Sequence, residues 1–359
     1  GMIFSGPHFF ICNPIYKSPR QNYRTHADYD TVDLLTSNED YNTRTIFSPV
    51  NANTDYKNIV GGFEGDTTQW IDKYKFAYRK MLSQTGERTL IGTIISPKTM
   101  HLATVNSVIF KTNDILVELA GLFASLVYDF YIRTIGANDL YETRLVSFPL
   151  GIADKYKPSI FARTLLLNCL TTAYSDLWQE MWDGAYKQET WSIDDSRLKP
   201  FDQLHEDWAW DIPLRNYFER RQALVEIDVI AAMALGLTLE DLEMIYTIQF
   251  PVLQQNEADT WYDQKGNIVF TCSKGLTGVG LDRKRNAKTG MLGWDDIRGE
   301  KIDENTYAGT SPTHTHTIDP KKSELYGGQQ VTYYAPYTKC NRIEDYRRAW
   351  AHFEKIFNK

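Results

Sequence analysis

The segment NDILVELAGLFASLVYDFYIR, Asn113 to Arg133, restricts the fold more than any other part of the chain. Asn113 or Asp114 can cap a helix there. Leu116, Leu119, Leu122, Phe123, Leu126 and Phe130 then leave it almost no polar face. A helix that is apolar all round is either surrounded by protein or lies in a bilayer. Its apolar run, Ile115 to Tyr128, contains Glu118 and is too short to span about 30 Å of hydrocarbon. The rest of the chain is therefore expected to wrap it.

The chain before this helix is strand-rich and irregular. Thr89 to Ile95 and Ala103 to Phe110 are the clearest strands, joined by SPKTMH with a turn at Pro97-Lys98. The chain after it is helical. Helices are expected over Ser159–Trp182 and Leu214–Leu235, the latter stopped by Gly236. Another begins at Thr238, with Asp241 completing a capping box. After Pro251 the pattern changes again. TWYDQKGNIVFT predicts a hairpin turning at Gln264-Lys265-Gly266. In the terminal RIEDYRRAWAHFEKIF, Tyr346, Trp350, Phe353 and Phe357 share one helix face, away from Arg347, Arg348 and Lys355. The expected class is α+β in three parts: a strand-rich part over 1–112, a helical scaffold over 113–260, and a hairpin, basic loop and terminal helix over 261–359.

The net charge of −7 argues against nonspecific coating of nucleic acid, yet leaves room for a local basic patch. The four cysteines form no CxxC pair and suit a reducing compartment. The N-terminal GMIFSGPHFF lacks the basic region and cleavage site of a signal peptide. A cytoplasmic protein with no membrane partner is expected.

Three motifs suggest chemistry. HFFICNPIY holds Asn13, Pro14 and Tyr16 in the order of the Asn-Pro-Pro-Tyr turn of DNA amino-methyltransferases, with Ile15 in place of the second proline. In such a turn the Asn binds the target amino group and the ring stacks on the extruded base. The only glycine run that could hold S-adenosylmethionine is GLTGVG, Gly275 to Gly280. It has neither an apolar strand before it nor a helix pattern after it. PTHTHTIDP places His314 and His316 on one side of a strand. A metal there would need Asp319 as well, and an exposed polar loop is the simpler reading. No catalytic and no metal site is expected in this chain. Two basic stretches remain. YKSPRQNYR offers Lys17, Arg20 and Arg24; DRKRNAKTG offers Arg283, Lys284, Arg285 and Lys288. Such residues on Gly-flanked loops suit phosphate and base-edge contacts.

ERTLIGTIISPKTMHLATVNSVIF, continued by LAGLFASLVYDFYIRTIGANDLYETRLVSFPL, resembles the specificity region of large fused restriction-modification methyltransferases. These include type II-like enzymes and the class I methylases of phage-defence islands such as DISARM. Ser125, Asp129, Phe130, Phe148 and Pro149 stand in the places of that family's "SlxxDF" and "fPl" phrases. The likeness extends to GPHFFICNPIYKSPR and to the terminal NRIEDYRRAWAHFE. It implies a target-recognition module for double-stranded DNA. Catalysis, adenine-N6 methylation with S-adenosylmethionine, would belong to a separate methyltransferase domain or subunit, leaving this chain without a cofactor of its own. Charge and loop context, not the resemblance, add Lys98, His101 and Lys111 to the two basic stretches as DNA-contact candidates. A protein–protein scaffold in a defence complex and a degenerate methyltransferase using Asn13 to Tyr16 are the competing readings.

Overall fold

The computed structural model describes residues 2–25, 27–48, 61–65 and 68–358. It is a mixed α+β fold with small sheets. The first is three-stranded and antiparallel. Strand β4 (Lys75–Arg79) lies in its centre, flanked by β5 (Gly92–Ile95) and β7 (Val105–Val108). The two strands legible in the sequence are thus neighbours of a third and not of each other. Two short pairs flank this sheet. β1 (Ile3–Phe4) runs parallel to β6 (Met100–His101), and β2 (Lys17–Pro19) pairs with β3 (Tyr29–Thr31).

The expected helix over Asn113–Arg133 is two helices, α1 (Asn113–Ala124) and α2 (Leu126–Ile135), bent by 71° at Ser125. No single helix among the described residues is long and apolar enough to cross a membrane. The break has identifiable causes. Ser125 is extended, and its hydroxyl accepts from Tyr128 N–H. The Leu126 N–H donates to the buried Asp228 carboxylate at 2.7 Å. Two donors at the start of α2 are satisfied by partners that a continuous helix would exclude.

The expected helix over Ser159–Trp182 also ends early, as α3 (Lys157–Asn168). Asn168 turns its side-chain carbonyl onto the edge of β5, accepting from Thr93 Oγ1 at 2.8 Å and Ile94 N–H at 3.1 Å. α-Helix resumes only over Ser175–Glu180. Helices α4 (Tyr217–Ala234) and α5 (Leu239–Gln249) carry the capping boxes Asn216/Glu219 and Thr238/Asp241. Helix α6 (Pro251–Ala258) comes next, and α7 (Arg342–Phe357) ends the fold. Helix α1 packs on α3 so closely that a methyl group on Gly121 would lie 2.5 Å from Thr164 Oγ1.

One hydrophobic cluster runs from Phe4 through both halves of the bent helix to Phe357. The strand-rich and helical parts therefore share a core, and α7 returns to it. The region between carries its own small core around Trp261, Phe270, Trp294 and Tyr337. Its five-stranded sheet has the order β10 (Lys301–Asp303), β11 (Thr306–Tyr307), β14 (Tyr337–Thr338), β8 (Trp261–Tyr262), β9 (Ile268–Phe270). A separate hairpin joins β12 (Thr313–Thr317) to β13 (Gln330–Tyr334).

The main core holds charges beside opposite ones. Arg163 is fully buried between Glu226 (2.6 Å) and Glu189 (2.7 Å), with Trp191, Phe201 and Phe353 around its guanidinium. Asp129 accepts from Arg88, Arg133 and the Thr89 and Leu90 N–H groups. Phe148 stacks on Tyr128, whose hydroxyl donates to the Pro149 carbonyl, and Phe130 packs against the same core. The residues that carry the family phrases are thus structural in this fold.

Glu257 binds Arg342 and Arg221. Burial opposes its ionisation, but the two guanidiniums outweigh that and bring the carboxyl from 4.5 to about 2. Its pKa is lower folded than unfolded. The contribution is therefore complete above about pH 5 and is lost as pH falls toward 2, on the order of 3 kcal/mol in all. Asp228 in the same network is raised by burial and has the opposite sign. Urea unfolding of wild type and Glu257→Gln between pH 7 and about 3 checks this. The stability gap between them is expected to shrink as pH falls.

Candidate nucleic-acid interface

The two basic stretches stand about 260 positions apart in sequence. The fold brings them to either side of one segment, residues 318–326. On one side is the β2–β3 hairpin. Lys17 sits half-buried, its ammonium 5.1 Å from the centre of the Tyr16 ring. Burial and the nearby Arg79 bring it down to about 8. Arg20 pairs with the buried Asp30 at 2.8 Å and donates to the Lys322 carbonyl. Arg24 is exposed on the turn beyond, where its N–H and that of Thr25 donate to the Asp28 carboxylate. Asp30 also accepts from the Glu324 and Leu325 N–H groups at 2.6 and 3.0 Å, anchoring segment 318–326 to the hairpin.

On the other side is the loop after Leu281. Lys322 reaches it through an ion pair with Asp282. Arg283 pairs with Asp259 and lies over Phe270, and Arg285 approaches Asp296 at 3.4 Å. Lys284 and Lys288 are exposed and make no ion pair among the described residues. The loop is closed by its own hydrogen bonds. Asn286 Oδ1 accepts from the Lys288 and Thr289 N–H groups, and Asn286 N–H donates to the Met291 carbonyl. Among the described residues, the exposed cations of the two stretches without an ion pair are therefore Arg24, Lys284 and Lys288; the half-buried Lys17 also makes none. Sequence reasoning missed Asp30 and Lys322, which tie the stretches together. The Lys321-Lys322 pair after Pro320 was the available signal.

A cavity of ≈ 140 Å³ opens between these elements, lined in part by Gly278, Gly280, Lys284, His316, Lys322 and Tyr333. The glycine run there serves packing. Gly280 has φ +72°, and a Cβ there would lie 2.7 Å from the Val269 carbonyl oxygen. The next helix is a single turn, Trp294–Ile297, so no long helix N-terminus faces the run, as a dinucleotide site would need. His314 and His316 are half-buried on one side of β12, and burial lowers both. No group of three His, Cys, Asp or Glu among the described residues could hold a metal ion.

The Asn13–Tyr16 turn is closed to a base. Asn13 Oδ1 accepts from Ile15 N–H at 3.2 Å. Tyr16 is buried, its ring 5.0 Å from Phe10 and its hydroxyl bonded to the Gly275 carbonyl. Both groups that would grip an extruded adenine are already engaged.

Lys98, His101 and Lys111 lie elsewhere. Lys98 is exposed at a turn with φ +62°, and Lys111 is exposed ahead of α1. His101 Nε2 sits 2.8 Å from Ser107 Oγ, and burial lowers its pKa. Among the described residues no hydrogen bond or ion pair links these three to the first group. No protein-family model, no curated protein and no solved structure matches the chain.

Proposed function

We propose that the chain is a DNA sequence-recognition module of a restriction-modification or phage-defence methyltransferase, working in the cytoplasm. It reads double-stranded DNA, while a methyltransferase domain or subunit holds S-adenosylmethionine and methylates adenine N6. The observation that carries this reading is the convergence of two distant basic loops on one anchored segment, with Arg24, Lys284 and Lys288 left without carboxylate partners among the described residues. Loops on a rigid scaffold are where recognition residues concentrate. Exposed, unpaired cations on these two loops of an acidic protein give local rather than general attraction to phosphate, which favours registry over coating. The engaged Asn13 and Tyr16 leave catalysis to another domain.

Selection from a pool of random-sequence duplexes at low salt tests the proposal. Retained DNA is expected to converge on one short motif. A pool that emerges unenriched, both from the chain alone and from the chain mixed with its methyltransferase partner, rejects it.

A further inference from the structure

The cavity between the two basic loops, ≈ 140 Å³, holds polar groups that the DNA reading leaves unused. A cavity of about 150 Å³ holds one benzene, so the enclosed part takes a single aromatic ring. The β12–β13 hairpin covers one side of it. His314 lies opposite Tyr333 and His316 opposite Val331, so these side chains share one face of the hairpin, and His316, Val331 and Tyr333 line the cavity. Ile268, Val279 and Met291 add apolar wall. Tyr333 is only 4% exposed, and its hydroxyl has no hydrogen-bond partner among the described residues, yet it is not among the sealed polar atoms. The hydroxyl of Tyr217, at the start of α4 and on the same lining, is unpartnered in the same way.

Asp33, just after β3, brings a half-buried carboxylate to this lining. Its Oδ1 accepts from Leu35 N–H at 3.0 Å, and it pairs with no cation among the described residues. Its own N–H donates to the Tyr326 hydroxyl at 3.0 Å, which fixes the turn. Burial raises the Asp33 carboxyl. Burial also raises both tyrosine hydroxyls, followed for Tyr217 by the Asp33 charge and for Tyr333 by Asp263 and then Asp33. Both hydroxyls are therefore near enough to Asp33 to feel its charge. A half-buried carboxylate without a cation is costly until something donates to it. The exposed rim has the opposite character. Lys284 is unpaired there, whereas Asp282 is answered by Lys322 and Asp319 accepts from the Lys321 N–H.

An occupant must therefore donate from a flat head and carry negative charge on its tail. A carboxylate only accepts. The pairing edges of adenine and cytosine set an amino group beside an acceptor nitrogen and meet a carboxylate with one favourable and one repulsive contact. Guanine sets N1–H and the N2 amino group side by side, and both donate. A guanidinium offers the same pair of donors, but Lys284 disfavours its charge.

We infer that this cavity binds the base of a guanine nucleotide, whose N1–H and N2 amino group donate to Asp33 while Tyr217 and Tyr333 offer hydroxyls to its edge and Lys284 meets its phosphate. The six-membered ring enters the enclosed part, and the sugar and phosphate stay at the open rim. The site stands without the DNA reading, because a mononucleotide fills it.

Calorimetric titration of the full chain with guanosine, inosine and adenosine 5′-monophosphates at fixed ionic strength tests the site. One guanosine monophosphate per chain is expected, bound about tenfold or more tightly than inosine monophosphate, which lacks only the N2 amino group. Adenosine monophosphate should bind no better than the inosine compound. Asp33→Asn keeps an oxygen for Leu35 N–H, so the urea midpoint should hold while the preference for guanine over inosine disappears. If that variant unfolds, the comparison of nucleotides on the wild-type chain still decides. A single-stranded oligonucleotide with one guanine that displaces the mononucleotide identifies a base in a strand as the source, and one that does not identifies the free nucleotide. No saturable binding of guanosine monophosphate, equal affinity for the guanine and inosine compounds, or a preference that survives in folded Asp33→Asn overturns the inference.

Discussion

Asp129→Ala is expected to cost about 3–5 kcal/mol, a large share of the roughly 5–15 kcal/mol that holds a typical domain folded. The carboxylate is fully buried and is the meeting point of two guanidiniums, Arg88 at 2.8 Å and Arg133 at 3.0 Å. It also accepts the Thr89 and Leu90 N–H groups that lead into β5. Removing it leaves two buried cations and two backbone donors unmet, and each is penalised for desolvation without compensation. Arg88 additionally donates to the Ala124 and Ser125 carbonyls at the helix break, so the damage spreads to the α1–α2 bend. Asp129→Asn keeps the shape but places an NH₂ among donors, and its cost should be nearly as large. Urea denaturation reads both. A midpoint for Asp129→Ala within about 1 kcal/mol of wild type would show that the buried network is not what holds β5 to α2.

Combined replacement of Arg24, Lys284 and Lys288 by Ala is expected to flatten the salt dependence of DNA binding. Each phosphate contact contributes about 0.9 to the slope of log Kobs against log salt, so three contacts remove roughly 2.7. At about 0.1 M salt that corresponds to about a 500-fold weaker complex if the contacts contribute nothing at about 1 M. The comparison set is Arg20, Arg283 and Arg285, also replaced by Ala. These pair with Asp30, Asp259 and Asp296, so their charge is already answered and their loss should change the slope much less. The free cations are exposed, and their removal should leave the urea midpoint within about 0.5 kcal/mol. An unchanged slope in the first set would remove the two loops from any DNA interface.

Much of the local structure was legible because its causes lie within a few residues. Thr238 and Asp241 cap each other across three positions, the turn before Gly266 needs only its own φ of +81°, and α7 buries Tyr346, Phe353 and Phe357 on the face its spacing predicts. The candidate interface was legible only in part. Its cations could be picked by charge and loop context, but which of them remain free depends on Asp30, Asp259 and Asp296, and these are partners of the fold and not of the pattern. The same limit applies to Tyr16. Its neighbours suggested a base-stacking ring, whereas Gly275, 259 positions away, takes its hydroxyl.

The sequence alone determined that a wholly apolar helix must be enclosed, that a capped helix starts at Thr238, and that the end of the chain is an amphipathic helix. Those depend on side-chain periodicity and on hydrogen bonds closed inside one turn. Only the tertiary structure decided that the enclosed helix breaks at Ser125, because Asp228 arrives from 102 positions away to take the Leu126 N–H. It likewise decided that Arg163, Arg221 and Arg342 go inward, where carboxylates of other segments wait. A buried charge is tolerated only beside its partner, and which segment supplies that partner is a property of the assembled chain.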